Sequence, residues 1–264
     1  MTAGLIAITG AAHGIGEALA LEAIARGYRV ALFDRDQAAL ERLSTGAGSG
    51  QCIVCAGDVT CADDLNRLRD AVARQAEPLR MVFANAGILR AGEILDQDIA
   101  DFEQMFAVNV SGTILTAQAL VPSMEAQVEA SVFVVTGSTS MLSAGPGFGG
   151  YAASKHALLA LTEALDAELV RRGSSVRAAL LCPAAVQTEI ADGGSELLDK
   201  LKRRMATHGI TPNEMARIAF DELANGQSVV FSSEPSKVVA LERLQSLLSG
   251  RFITSTRAPE TGSR

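Results

Sequence analysis

Tyrosine is scarce in this chain, with two in 264 residues. Histidine occurs three times, at His13, His156 and His208, too scattered to suggest a metal cluster. Of the four cysteines, Cys52, Cys55, Cys61 and Cys182, the first two form a CxxC pair inside the β-like run QCIVCAG. An odd separation in a strand points two side chains to opposite faces. No second pair and no nearby histidine completes a zinc-type ligand set. The cysteines therefore read as small buried residues, and no metal is expected. A lysine- or arginine-rich run is also missing. With a net charge of −7, that argues against a nucleic-acid partner. No apolar run reads as long enough to cross a bilayer. The opening residues, MTAGLIAITG, have no basic n-region and read as a strand rather than a signal peptide. The expectation is a cytoplasmic protein with no membrane partner.

Apolar material is plentiful: 48% of the residues are hydrophobic, enough for a large core. The length fits one α/β domain. Strand-like and helix-like runs alternate throughout. LIAIT precedes GIGEALALEAIARG, RVALF precedes DQAALERLS, and CIVCA precedes ADDLNRLRDAVARQA. LRMVFA precedes a long helical stretch over residues 98–124, and SVFVV precedes a helix over residues 151–172. VRAALL is followed by two helical runs, the strand SVVFS and a last helix, VVALERLQSLL. The glycine- and serine-rich stretch TGAGSG, residues 45–50, reads as a surface loop. Near-continuous apolar strands separated by helices predict a doubly wound parallel sheet covered on both faces. One catalytic domain is expected over residues 1–252, with a mobile lid near residues 189–212 and a disordered tail over residues 253–264.

Chemistry concentrates at a few junctions. In TGAAHGIG the glycines Gly10, Gly14 and Gly16 lie where the first strand turns into a helix. Such a turn brings backbone close to a pyrophosphate and aims a helix N-terminus at it. Asp34 closes the second strand, where an acid can bond the adenosine ribose hydroxyls; capping the next helix is an alternative use of the same placement. A carboxylate there repels a 2′-phosphate, which favours NAD over NADP, although Arg35 and His13 could each help a phosphate. Asp58 could bond the adenine amine or serve as a turn residue. One of the two tyrosines, Tyr151, opens a helical run with Lys155 one turn later, so both stand on one face. A nearby ammonium favours the phenolate. Lowering a phenol pKa by about three units requires roughly 4 kcal/mol of differential stabilisation.

Together these motifs resemble the short-chain dehydrogenase/reductase family, over Leu5 to about Thr188. TGAAHGIG resembles its glycine motif, AGDVT with Asp58 and Val59 its adenine-contact segment, and ANAG its NNAG, with alanine at the first position. Asn109 in FAVNVSG, Ser138 in VVTGSTS and Tyr151 with Lys155 in YAASK resemble its catalytic residues. CPAAVQT resembles the PGxxxT segment, with Ala184 in place of glycine. The resemblance implies a Rossmann fold, NAD as cofactor with NADP second, and an oxidoreductase acting on a CH–OH group. It implies that Tyr151 is the general acid or base, and that Ser138 hydrogen-bonds the substrate oxygen. Lys155 would bind the nicotinamide ribose and lower the Tyr151 pKa, and Asn109 would position a relay water. Cofactor contacts are implied for Gly10, His13, Gly14, Ile15, Gly16, Asp34, Arg35, Asp58, Val59, Asn85, Ala86, Gly87, Pro183, Val186 and Thr188. Taken singly, Ser138 could be a turn residue with Ser140 as a rival hydroxyl, and Asn109 could bond a helix carbonyl.

The substrate pocket should lie beyond the C-terminal ends of the strands. Candidate linings are Leu89, Met141, Leu142, Phe148, Ala184 and Ile190, mostly apolar, which points to a fairly hydrophobic secondary alcohol or ketone. An NADPH-dependent ketoreductase and a dinucleotide-sensing protein without turnover are the competing readings. Family members are usually homotetramers, so a homotetramer or homodimer is expected.

Overall fold

In a computed structural model of the chain, residues 3–48, 50–191 and 194–250 are described. The expected tail over residues 253–264 lies outside them. Seven strands alternate with nine helices among the described residues: β1 (Leu5–Thr9), α1 (Gly14–Ala25), β2 (Arg29–Asp34), α2 (Gln37–Ala47), β3 (Cys52–Ala56), α3 (Ala62–Ala73) and β4 (Leu79–Ala84). Then come α4 (Ile99–Phe106), α5 (Gly112–Glu125), β5 (Ser131–Thr136), α6 (Gly149–Arg171), β6 (Val176–Cys182), α7 (Glu196–His208), α8 (Pro212–Ala224), β7 (Val229–Phe231) and α9 (Glu234–Leu248). The strands form one seven-stranded sheet in the order β3-β2-β1-β4-β5-β6-β7, and every pairing is parallel. The order reverses between β1 and β4, so a crevice opens there beyond the strand ends.

Alternation of side chains along each strand divides the core in two. Leu5, Ala7, Phe33, Val82, Phe133, Val135 and Leu180 face α3, α5 and α6, where they meet Leu65, Leu68, Leu120, Met124 and Leu158. Ile6, Ile8, Val30, Leu32, Phe83, Val134 and Leu181 face the other way, onto Leu19, Leu40, Met215 and Phe220 of α1, α2 and α8. Burial on both faces is why the strands read as unbroken apolar runs. The CxxC pair obeys the same rule. Cys52 packs with the second layer and Cys55 with the first, as the odd spacing requires.

Two local features depart from expectation. Helix α2 runs on through Thr45, Gly46 and Ala47, with the Thr45 hydroxyl donating to the Glu41 carbonyl at 2.8 Å. The stretch expected as loop is therefore partly helix. The long helical stretch is continuous from Ile99 to Glu125, but its middle, Ala107–Ser111, is a π-helical turn. Its 27 residues, with a window of mean hydropathy 1.3, are long and apolar enough to span a bilayer by length and composition alone, contrary to the sequence reading. Here that helix packs on α3, β4 and α6, which cover part of its apolar surface and leave Ile99 and Ile114 exposed.

Candidate active site

Strand β1 ends in a turn that favours glycine. Gly10 and Gly14 have φ of +66° and +57°, a region costly for other residues. A Cβ on Gly16 would lie 1.9 Å from the Gly10 carbonyl oxygen. The result is a trough lined by backbone rather than side chains. Helix α1 starts at its edge with no side-chain cap, leaving its first amides for an anion in the crevice. Thr188 closes the trough from the far side; its methyl lies 3.1 Å from where a Gly14 Cβ would sit. Asn85 ties β4 to the turn, with its amide donating to the Thr9 and Gly10 carbonyls at 3.2 Å each. Ala86 backs the turn so closely that a Cβ on Gly10 would come within 2.8 Å of its Cα. These residues fit a dinucleotide pyrophosphate.

Acidic groups gather where the adenosine end would lie. The Asp34 carboxylate accepts from the Ala12 amide at 3.2 Å and the Asp36 amide at 3.1 Å, which fixes it at the crevice. The helix-capping use considered for Asp34 falls to Asp36, which accepts from the Ala39 amide at 2.9 Å. That bond, and His13 at 3.1 Å, hold the Asp36 carboxyl below the usual carboxylate range. Arg35 lies 3.8 Å from Asp58. Asp58 also accepts from the Thr60 amide and hydroxyl, both at 2.8 Å, so it is a turn residue whose second oxygen faces Arg35. Val59 is buried beneath Gly112.

The other end of the crevice holds Tyr151, Lys155, Ser138 and Asn109, all buried. Helix α6 begins two residues before Tyr151, so the tyrosine and lysine occupy its first two turns on the inward face. Lys155 donates to the Thr136 carbonyl at 2.9 Å, and its Nζ lies 5.7 Å from the centroid of the Tyr151 ring. Ser138 accepts from the Ser140 amide at 3.1 Å, which makes Ser140 a backbone partner and leaves the Ser138 proton for another acceptor. Asn109 sits in the π-helical turn. Its amide exchanges bonds of 2.8 and 3.0 Å with the Ile88 backbone and donates to Ser154 at 3.0 Å. A Cβ on Gly87 would lie 3.3 Å from Asn109 Oδ1 and 3.5 Å from Lys155 Nζ, so both groups border one small gap.

Burial governs the charges of this cluster. It pushes the Tyr151 phenol up to about 12, and the nearby Ser138 hydroxyl opposes that rise. It pushes the Lys155 ammonium down to about 8. The expected lowering of the Tyr151 pKa by Lys155 is therefore not present in the protein alone. Desolvation disfavours both charged forms, and it outweighs attraction between groups this far apart.

Apolar residues surround Tyr151. Leu89, Phe148 and Ile190 are there as expected, joined by Met105, Leu198 and Leu201. Met105 was legible in principle, since it stands one helical turn before Asn109. Leu198 and Leu201 share an apolar face of α7, in the segment expected to be a lid. Met141 and Leu142, by contrast, lean on the main core, and Ala184 is exposed with its amide donating to Ser232 at 2.9 Å. The Pro183 carbonyl accepts from Thr139 at 2.8 Å. Val186 pairs with Ile210 through the flanking peptides, Ala185 O and Gln187 N. No described residue other than glycine has positive φ, so Ala184 fits where the family has glycine.

The sequence profile of the short chain dehydrogenase family matches residues 5–211. The chain is 31% identical over 235 residues to 1-deoxy-11-beta-hydroxypentalenate dehydrogenase of Streptomyces exfoliatus, covering 88% of this chain and 83% of that one. A short chain dehydrogenase/reductase from Burkholderia phymatum, solved with NAD, superposes with a TM-score of 0.91 at 26% identity. The match covers 97% of this chain and 98% of that one. An alcohol dehydrogenase from Thermococcus sibiricus, solved with 5-hydroxy-NADP, gives a TM-score of 0.74 at 26% identity, over 86% and 95% of the two chains. A parallel sheet with its order reversed at a glycine turn, and a profile spanning that turn and the tyrosine helix, carry one conclusion: this chain belongs to the short chain dehydrogenase family.

Proposed function

We propose that the protein is an NAD-dependent dehydrogenase that interconverts a fairly hydrophobic secondary alcohol and its ketone. The observation that carries this reading is the buried Ser138–Tyr151–Lys155 group, walled by Leu89, Met105, Phe148 and Ile190 at the end of the glycine crevice. NAD, held by the trough from Gly10 to Gly16 and by Thr188, supplies the hydride acceptor in one direction and the donor in the other.

The chain's own residues handle the proton. In oxidation, Tyr151 accepts the alcohol proton, and Ser138 donates a hydrogen bond to the same substrate oxygen. In reduction, Tyr151 returns the proton to that oxygen. A phenol near 12 is a poor base at neutral pH. The charged Lys155 and a cationic nicotinamide both favour the phenolate, so the pair becomes competent once the cofactor is bound. Asn109 and Lys155 border the gap beside Gly87, which suits a relay to solvent. The apolar walls exclude bulk water and select an apolar substrate body.

Cofactor preference follows from charge. The Asp34 carboxylate is fixed at the crevice, while the His13 ring faces Asp36 and the Arg35 guanidinium faces Asp58. A 2′-phosphate would meet the Asp34 carboxylate, which repels it. We further read the protein as cytoplasmic and as a homotetramer or homodimer; exposed apolar residues such as Ile114 on α5, Val170 on α6 and Val229 on β7 support the assembly.

Paired fluorescence titrations with NADH and NADPH test the cofactor assignment. NADH should bind at least about tenfold tighter, a difference of about 1.4 kcal/mol. Tighter NADPH binding would support the ketoreductase reading. For the chemistry, Tyr151→Phe should lower turnover by about two to four orders of magnitude while NADH still binds. Binding with unchanged turnover would refute the mechanism.

A further inference from the structure

We propose that Ser154 is a positioning residue of the proton-transfer site, locking the Asn109 amide to the helical turn that carries Tyr151 and Lys155. The proposal rests on the dehydrogenase reading above and deepens it. Ser154 is fully buried, with 0% exposure, one residue before Lys155. Its hydroxyl donates to the Tyr151 carbonyl at 2.7 Å and accepts from Asn109 Nδ2 at 3.0 Å. A hydroxyl is the smallest group that can do both at once.

Asn109 shows why that matters. Its Oδ1 accepts from the Ile88 amide at 2.8 Å, and Nδ2 gives one proton to the Ile88 carbonyl at 3.0 Å. Ser154 takes the second proton. Both ends of the amide are therefore committed, and its orientation is fixed. A flip would set oxygen against the Ile88 carbonyl and nitrogen against the Ile88 amide. The same amide borders the gap shared with Lys155 Nζ. Ser154 thus ties the two sides of that gap together, one side directly and the other through its neighbour in α6. Loss of the hydroxyl strands an amide proton inside the protein, where an unmet donor is costly, and leaves Asn109 held by Ile88 with no bond to the turn that carries Lys155. Small misplacements of this kind are felt strongly in proton transfer.

The scarcity of tyrosine supplies the assay. Tyr28→Phe leaves Tyr151 as the sole tyrosine of the full chain. Its phenolate absorbance, followed against pH with and without saturating NAD+, reports its titration midpoint. NAD+ should lower that midpoint, and Ser154→Ala should restore about one unit of the drop while NADH affinity stays within about twofold. No drop with NAD+ in the Ser154 protein would refute the dehydrogenase reading itself. An equal drop in both proteins would refute only the role of Ser154. Should Ser154→Ala fail to fold, Ser154→Thr and Ser154→Val, alike in volume and differing in the hydroxyl, decide the matter. The Thr variant should titrate like the Ser154 protein and the Val variant above it, and identical midpoints would overturn the proposal.

Discussion

Replacing Lys155 by methionine should stabilise the cofactor-free protein at neutral pH while abolishing its chemistry. Lys155 is 3% exposed, and burial moves its pKa from 10.5 to about 8. The unfolded chain therefore holds a proton more readily than the folded one between those two values. By linkage, the folded state is penalised in full below pH 8, and the penalty fades as pH rises towards 10.5. The shift corresponds to about 3 kcal/mol at neutral pH. Methionine removes that penalty but strands the Thr136 carbonyl, which Lys155 bonds at 2.9 Å. An orphaned carbonyl costs about 1–3 kcal/mol, so the net gain should be about 1 kcal/mol or slightly more. The pH dependence is the sharper signature, because the orphaned carbonyl does not titrate. Integrating the linkage, the advantage of Lys155→Met should shrink by about 2 kcal/mol between about pH 7 and about pH 9.5. Tyr151, raised to about 12, weakens the fold only above its ordinary value of 10, and does so in both proteins. Urea unfolding of the two proteins at both pH values, without cofactor, reads this difference directly. A stability difference that does not change with pH would mean that Lys155 is not desolvated as the structure has it, and the reasoning would fail.

Three further outcomes follow from the geometry. Gly16→Ala places a methyl 1.9 Å from the Gly10 carbonyl and 2.7 Å from the Asn85 amide, both held by other bonds. It should cost about 3 kcal/mol in urea unfolding and remove NADH binding by fluorescence; a normal affinity would show that the turn is not the cofactor trough. Gly87→Ala sits at ordinary φ, so the backbone tolerates it, but its methyl would enter the gap between Asn109 and Lys155. Alcohol-dependent NADH formation should fall by about tenfold with little change in melting temperature, and undiminished formation would count against a relay through that gap. Thr211 caps α8 in a reciprocal arrangement with Glu214, and backbone and hydroxyl bonds from Thr211 hold the Glu214 carboxyl below its usual range. Thr211→Ala should lower the melting temperature by about 2–4 °C. That loss should diminish in acid, where protonation of Glu214 weakens the cap in the unsubstituted protein too.

The sequence by itself determined the parts that depend on local order. Strand and helix alternation, with near-continuous apolar runs in the strands, dictated a parallel sheet between two helical layers, because only burial on both faces tolerates such strands. Gly10, Gly14 and Gly16 announced the turn, since no other residue combines that φ with that closeness. Tyr151 and Lys155 fell on one helical face by spacing alone. What only the tertiary structure decided are matters of distance across the chain. Asp36, not Asp34, caps α2, because the Ala12 amide captures Asp34 across a loop that spacing cannot measure. The π-helical turn at Asn109 has no composition signal, and the partners of the amide it carries, Ile88 and Ser154, are far from it in sequence. Leu198 was hidden in a segment that reads as polar and mobile, yet it packs beside Tyr151. The Tyr151 pKa of the cofactor-free protein was illegible for the same reason. Spacing reveals which charge is near a phenol, but only the packed structure reveals how little water is left around both, and here desolvation is the larger effect.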